Sequence, residues 1–291
     1  MKNLAFAILG LLLCHTLHSQ SNYAELELVG ITQLSSSERT RFDLSGIVNL
    51  DEKTLVIADK DWNNSIYEIK FNADKWSIKN EIPLNISEPL DLEGIDVCMN
   101  AYYLVNEVTG NVHIKKQGQE TKVLDIDFGS MFPGEWGNAG WEGLAIDCEK
   151  QIGYLTKERQ PRAVFVVDLK KLMIDKTFDI PLEDSNDFAD TKFENGFLYL
   201  LERNGNYITK VDPATEEVLA KVSYRKTCSA ESGKLFEPTN FGMAEALTLT
   251  EDEIWLGLDN NGLEASQYAK GKYGIEGRSP VILKFKRPEN F

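Results

Sequence analysis

The chain has 291 residues, 42% of them hydrophobic and 10% aromatic, a globular composition that excludes a disordered chain. Its 46 acidic side chains against 31 basic ones give a net charge of −15, which argues against nucleic acid and anionic membrane as partners. A carboxylate-rich chain with three histidines points instead to hard cations and oxygen ligands.

Residues 1–19 read as an export leader. Lys2 precedes an apolar run from Leu4 to Leu13, and a polar stretch then ends in His18-Ser19-Gln20. This run is too short for a bilayer, which takes about 20 residues. No later run is long enough, so no transmembrane segment is expected. Residues 20–291 are expected to form one domain, monomeric and exported, either periplasmic or secreted. Leu11-Leu12-Leu13 lacks the small residues that precede a lipidated cysteine, which argues against an anchor on Cys14. Removing the leader takes away Lys2, His15 and His18. The mature chain keeps 30 basic residues and one histidine, His113. That argues against imidazole-built zinc sites and leaves one candidate base for a Ser-His-Asp or Cys-His enzyme. Alternation in Asn111–Lys115 places His113 on a polar, solvated strand face.

The first predicted strand is Ala24–Leu34, whose apolar residues alternate. A motif then recurs: Leu44-Ser45-Gly46-Ile47, Leu92-Glu93-Gly94-Ile95, Trp141-Glu142-Gly143-Leu144, a weaker Phe188-Ala189-Asp190-Thr191, and Ala244-Glu245-Ala246-Leu247. Spacings between Ser45, Glu93, Glu142, Asp190 and Glu245 are 48, 49, 48 and 55 residues. After each comes a turn and an apolar run ending in an acid: Leu55–Asp59, Tyr102–Glu107, Tyr154–Glu158, Leu198–Glu202 and Ile254–Asp259. Two more alternating strands follow, such as Ser65–Phe71 and Trp76–Ile82, or Ala163–Leu169 and Met173–Ile180. Four short strands in each such unit is the rhythm of a β-propeller.

Units start near residues 43, 91, 140, 187 and 242, and the last has three strands, ending in Pro280–Lys286. Ala24–Leu34 supplies its fourth strand, which closes the ring and covers an open sheet edge. The fold class is therefore all-β: a single propeller of five four-stranded blades, with a degenerate sixth left open. No helical period stands out in the mature chain. Cys98 and Cys148 take matching places in neighbouring units. A bridge is open to an exported chain, but two independent core residues are the expectation. Residues 128–140 are rich in glycine and aromatics, and 225–242 and 260–279 are long, polar and partly basic. Loops of that length are usually functional or mobile.

The first strand of a propeller blade lines the central channel, so one fixed place per unit builds a ring. Ser45, Glu93, Glu142, Asp190 (or Ala189) and Glu245 fill that place. Carboxylates crowded in a channel repel unless they take up protons or a cation. Flexible carboxylates with a hydroxyl suit calcium, so an axial Ca2+ is expected on these residues. A second set stands at the ends of the second strands: Asp59, Glu107, Glu158-Arg159, Glu202-Arg203 and Asp259-Asn260-Asn261. Acids and arginines there can hold a phosphate by guanidinium forks while a metal polarises it, or can form a ring of inter-blade salt bridges.

The stretches Gly140–Ala145, Thr156–Arg159, Leu200–Arg203 and Leu258–Asn261 resemble the phytase-like, or "esterase-like activity of phytase", family of exported bacterial propellers. Leu44-Ser45-Gly46 and Leu92-Glu93-Gly94-Ile95 resemble the related SdiA-regulated propeller family. The resemblance spans about residues 42 to 287. It implies calcium-assisted hydrolysis of phosphate or other esters. The ring is also similar to the axial calcium site of five-bladed calcium-activated nucleotidases, with one departure: Ala189 replaces a serine in the fourth unit.

Two readings follow. In the first, an exported hydrolase acts on a small anionic or ester substrate. Glu93, Glu142 and Glu245 hold metal, Glu158 and Glu202 position water or a second cation, and Arg159 and Arg203 stabilise charge on the leaving phosphate. Asp59, Glu107, Asp259 and Asn260 contact the ligand. In the second, a non-catalytic propeller binds a ligand or partner protein at its loop-bearing mouth. The lack of a dense aspartate cluster disfavours true phytase activity.

Overall fold

The computed structural model describes residues 23–35, 41–50, 53–129, 139–181, 185–228, 234–237 and 242–291. The expected leader, most of residues 128–140 and half of residues 225–242 lie outside the described residues.

Two strands open the chain, β1 (Ala24–Glu25) and β2 (Leu28–Leu34). Blade one holds β3 (Leu44–Leu50), β4 (Lys53–Ala58), β5 (Ser65–Asn72) and β6 (Lys75–Pro83). Blade two holds β7 (Leu92–Cys98), β8 (Ala101–Asn106), β9 (Val112–Lys116) and β10 (Lys122–Val123). Blade three holds β11 (Trp141–Asp147), β12 (Ile152–Lys157), β13 (Ala163–Asp168) and β14 (Met173–Phe178). Blade four holds β15 (Asp190–Glu194), β16 (Phe197–Glu202), β17 (Tyr207–Val211) and β18 (Val218–Ser223). Blade five holds β19 (Ala244–Leu249), β20 (Glu253–Leu258) and β21 (Val281–Lys286), with β2 as its outer strand. Inner strands β3, β7, β11, β15 and β19 neighbour one another in that order, and β19 returns to β3. Among the described residues the ring therefore closes with five blades.

The predicted N-terminal strand divides in two. β1 runs parallel to β18 on the edge of blade four, and β2 runs antiparallel to β21 from Leu28 opposite Phe285 to Gln33 opposite Val281. The chain crosses between blades at Leu26-Glu27: Leu26 N donates to Ser223 O, and Lys286 N donates to Glu27 O. Gln33 and Leu34 also pair with Lys75 and Trp76 of β6, which welds blade five to blade one.

The cores lie between the blades. Trp141 is fully buried, edge-on to Phe128 at 4.8 Å and to Phe165 at 4.9 Å, and its indole N–H donates to Gly110 O. Glycine in the recurring motif sets how closely the inner strands approach. A Cβ on Gly94 would lie 2.9 Å from Leu144 N, and one on Gly143 would lie 2.6 Å from Thr191 N.

Three expectations are corrected. Cys98 and Cys148 form a disulfide across blades two and three, with Cα atoms 5.6 Å apart, and only Cys228 is a free cysteine among the described residues. His113 is buried, and Glu88 in the connector before blade two brings a carboxylate oxygen 3.1 Å from its Nε2. Burial pushes its pKa down, and the Glu88 charge opposes this. The 260–279 insertion contains a helix, α1 (Gln267–Tyr273), whose Ser266 cap accepts from Ala269 N and which ends at left-handed Gly274. A helix of about two turns with a single buried residue carries too weak a period to stand out.

Candidate functional site

Local register explains which side chains reach the channel mouth. In four inner strands the ladder shifts around the recurring residue: between Leu44 and Gly46, Leu92 and Gly94, Trp141 and Gly143, and Ala244 and Ala246. Ser45, Glu93, Glu142 and Glu245 are the extra residues of four bulges, a device that re-aims a side chain. Past each bulge, Gly46, Gly94, Gly143 and Ala246 pair with Ile57, Val105, Thr156 and Gly257. Two residues later, just past the end of the partner strand, come Asp59, Glu107, Glu158 and Asp259. Each of these donates its backbone N–H to the residue two before the bulge: Asp43 (3.1 Å), Asp91 (2.8 Å), Gly140 (2.9 Å) and Met243 (2.9 Å).

Blade four breaks the pattern. Asp190 pairs with Leu201, and it packs on Gly143 as Gly143 packs on Gly94. Asp190 therefore stands in the glycine place, Ala189 in the bulge place, and Arg203 where the other blades set an acid. Glu202, one residue earlier, points to the opposite face of its strand. Its carboxylate is fully buried against Arg162 (3.4 Å), Lys221 (3.0 Å) and the Thr209 hydroxyl.

The mouth is a cavity of about 430 Å³. Asp59, Glu93, Glu107, Glu142, Glu158, Glu245 and Asp259 line it together with Lys60, Arg159 and Arg203, and Asn186, Asn204 and Asn261 complete the rim. Predicted residues absent from the cavity have other partners. Ser45 donates its hydroxyl to Leu92 O at 2.5 Å, an inter-blade bond. Asp190 accepts from Leu247 N (2.7 Å) and Thr191 N (2.7 Å). Lys192 lies 3.2 Å from Asp190 and 3.2 Å from Ile95 O, so it spans from blade four to blade two beneath the mouth. Burial lifts Asp190 to about 7, against the pull of Lys192 and of the two N–H donors. Asn260 donates to Leu263 O and Arg278 O, shaping the insertion while Asn261 faces the cavity.

Arg203 is the hub of one side. Its Nε lies 3.1 Å from Asp187, and its two terminal nitrogens contact Glu245 and Glu158. Burial works against its charge, but the surrounding carboxylates hold it protonated more firmly than usual. Arg159, partly exposed on the cavity lining, pairs with the buried Glu158.

On the other side acids outnumber partners. Buried oxygens of Asp43, Asp59, Asp91 and Glu93 have no hydrogen-bond partner. Burial, then neighbouring carboxylates, lift Glu93 well above the usual range, and burial likewise dominates the rise of Asp259. Burial takes Asp59 to about 7 against the Lys60 contact, and Glu107 to about 7 against its bond from Gly140 N. Glu142 rises well above the usual range by burial and Glu245 rises too, both opposed by Arg203. Three sets place one oxygen per residue within 4.8 Å of the others: Asp43-Asp59-Asp259, Asp59-Asp91-Glu93 and Glu107-Glu142-Glu158. Oxygen-only sets with unpartnered buried oxygens fit a calcium-type cation and not a thiophilic or imidazole-seeking metal.

Asp43, Asp91 and Asp187 did not figure in the sequence reading, nor did Lys60, Asn186 or Asn204. A signal for the first three existed: each stands two residues before the recurring position, in the series Asp43-Leu44-Ser45, Asp91-Leu92-Glu93 and Asp187-Phe188-Ala189.

Fold and site together define a five-bladed propeller with an acidic channel mouth. More narrowly, the SdiA-regulated family model matches residues 30–233, and the chain belongs to the SdiA-regulated family. Among solved structures, it is similar to glutaminyl cyclase of Myxococcus xanthus at 12% identity and a TM-score of 0.58, covering 90% of this chain and 97% of that one. It is also similar to virginiamycin B lyase of Staphylococcus aureus at 13% identity and a TM-score of 0.51, covering 89% and 99%. At such identities the likeness speaks to the propeller fold alone. No curated protein matches the chain.

Proposed function

We propose that this is an exported propeller that holds a divalent cation, calcium by its ligand chemistry, in the channel mouth and uses it to bind a small anionic ligand such as a phosphoester. The observation that carries this reading is the set of buried, unpartnered carboxylate oxygens on Asp43, Asp59, Asp91 and Glu93. Buried polar atoms without partners are rare, and buried like charges need compensation from somewhere. The mouth's carboxylates would hold the ion, and the rim amides of Asn186, Asn204 and Asn261 would orient the ligand beside it. When bound, such a cation binds ligand oxygens and lowers the pKa of water.

Hydrolysis is the second reading, and Glu107 favours it. Its carboxylate lines the cavity with a pKa of about 7 and accepts a hydrogen bond from Gly140 N at 3.1 Å, so it is suited to take a proton from water near neutral pH. Two sequence-based roles lose support. Glu202 lies outside the cavity, and the Arg203 donors are committed to Asp187, Glu245 and Glu158.

The test is a thermal shift of the chain with calcium and with chelator, alongside turnover of p-nitrophenyl phosphate, a bis-phosphodiester, a nucleotide and p-nitrophenyl acetate. A calcium-dependent rise in melting temperature is expected. Calcium-dependent turnover, lost in Glu107→Gln, would add the hydrolase. No shift with calcium, magnesium or manganese would rule out the cation reading.

A further inference from the structure

We propose that the cation lies off the axis, in the seam between blades one and two, held by Asp59, Asp91 and Glu93. This placement rests on the cation reading above and moves the ion away from the axial position that the repeat alone suggests.

Three observations locate it. First, the three carboxylates each offer one oxygen within 4.8 Å of the others. Oxygens bound to one calcium lie 2.3–2.6 Å from it, so they can stand up to about 5 Å apart. Second, each of the three has a buried oxygen without a hydrogen-bond partner. Neither competing set has this property throughout. In the Glu107-Glu142-Glu158 set, Glu107 accepts from Gly140 N, and one Glu158 oxygen serves both Arg203 and Arg159. In the Asp43-Asp59-Asp259 set, Asp259 accepts from Asn261 N at 2.7 Å. Third, Lys60 already places a positive charge here. Its ammonium contacts Oδ2 of Asp59, while Oδ1 is the oxygen without a partner.

The backbone explains why the seam suits an ion. Asp91 is fixed from both sides: its N–H donates to the Asn106 side chain at 3.1 Å, and its carbonyl accepts from Glu107 N. Glu93 is the bulge residue of β7, and Asp59 follows the last residue of β4. Three ligands on rigid strand ends of adjacent blades form a cleft before any ion arrives.

Calcium titration by calorimetry of the full chain decides the matter, with Asp91→Asn, Glu93→Gln and Glu142→Gln beside the wild type. Asp91→Asn and Glu93→Gln are each expected to weaken binding at least tenfold, and more than Glu142→Gln does. If Glu142→Gln weakens binding most, the ion sits on the Arg203 side, and the placement fails while the cation reading stands. If the wild type shows neither heat nor a melting shift, the cation reading itself fails. Far-UV circular dichroism checks each fold, and two seam variants guard against one that does not fold.

Discussion

The two sides of the mouth carry similar acids and differ in what compensates them. On the side of blades three to five, Arg203 gathers Glu158, Asp187 and Glu245 around one buried guanidinium. On the side of blades one and two, Asp43, Asp59, Asp91 and Glu93 keep unpartnered oxygens, and the nearby cations are Lys60 and Arg41, whose side chains are 48% and 43% exposed. One side carries its counter-charge in the chain. The other is arranged to take its counter-charge from solution, as protons or as a metal ion.

Removing Arg203 should have the largest effect. Arg203→Met leaves three carboxylates without their buried partner, a loss of about 3–5 kcal/mol for a broken buried pair. Lys60→Met on the other side should cost under about 1 kcal/mol, because an exposed contact is screened by water. Urea midpoints of the two variants measure the contrast. Equal losses would show that the two sides are not different in kind. The Arg203→Met loss should also shrink at pH 5, where Glu245, whose pKa burial raises, can take up a proton.

Acidity gives the next effect, and its sign follows from the raised pKa values. Asp59 and Glu107 sit near 7 when folded, against ordinary values near 4. Between about pH 4 and 7 the folded state therefore holds protons that the unfolded chain has released. Stability should fall as pH rises through that window, and Glu93, Glu142 and Asp259 act in the same direction. His113 opposes them, since its pKa is lowered on folding and its contribution grows as pH rises toward 6.5. One histidine against these five carboxylates, with Asp190 and Glu245 raised as well, leaves the carboxylate sign in place. In chelator, the melting temperature should be several degrees higher at pH 5 than at pH 8. Calcium should close the gap, because the metal needs the deprotonated carboxylates. A chelated protein that melts higher at pH 8 would contradict the protonated mouth.

Much of this architecture was legible because a propeller writes itself several times. Each copy of Glu93-Gly94, Glu142-Gly143 and Glu245-Ala246 supports the others, so blade number, inner strands and ring closure could be read from spacing. What escaped was register within single blades. Glu158-Arg159 and Glu202-Arg203 look like copies of one motif, yet they differ by one residue in the ladder, so Arg203 is the structural counterpart of Glu158. Period-two geometry turns a one-residue offset into opposite faces of the strand, which sends Glu202 into blade four and Arg203 into the mouth. Ser45 matches the ring in sequence, but its short side chain satisfies itself on Leu92 O before reaching the cavity. The disulfide and the burial of His113 depend on contacts across blades and connectors, which a repeat pattern does not encode.

The smallest expected effect is the sharpest test of the asymmetry, because it uses two rim cations of similar exposure. Lys60 and Arg159 both line the cavity, with side chains 48% and 34% exposed, and each contacts a ring acid, Asp59 or Glu158. Neither should matter much to stability, and Lys60→Met and Arg159→Met should each shift it by less than about 1 kcal/mol. Their effects on calcium should differ. Lys60 shares Asp59 with the seam, so its removal frees a ligand and deepens the negative potential at the ion, and calcium affinity should rise severalfold. Arg159 shares Glu158 with Arg203, which continues to neutralise it, so calcium affinity should change less than twofold. Both variants leave the acids untouched, so a difference between them reports where the ion sits. Equal tightening would mean that the ion responds only to the overall charge of the mouth. Tightening in Arg159→Met alone would move the ion to the guanidinium side.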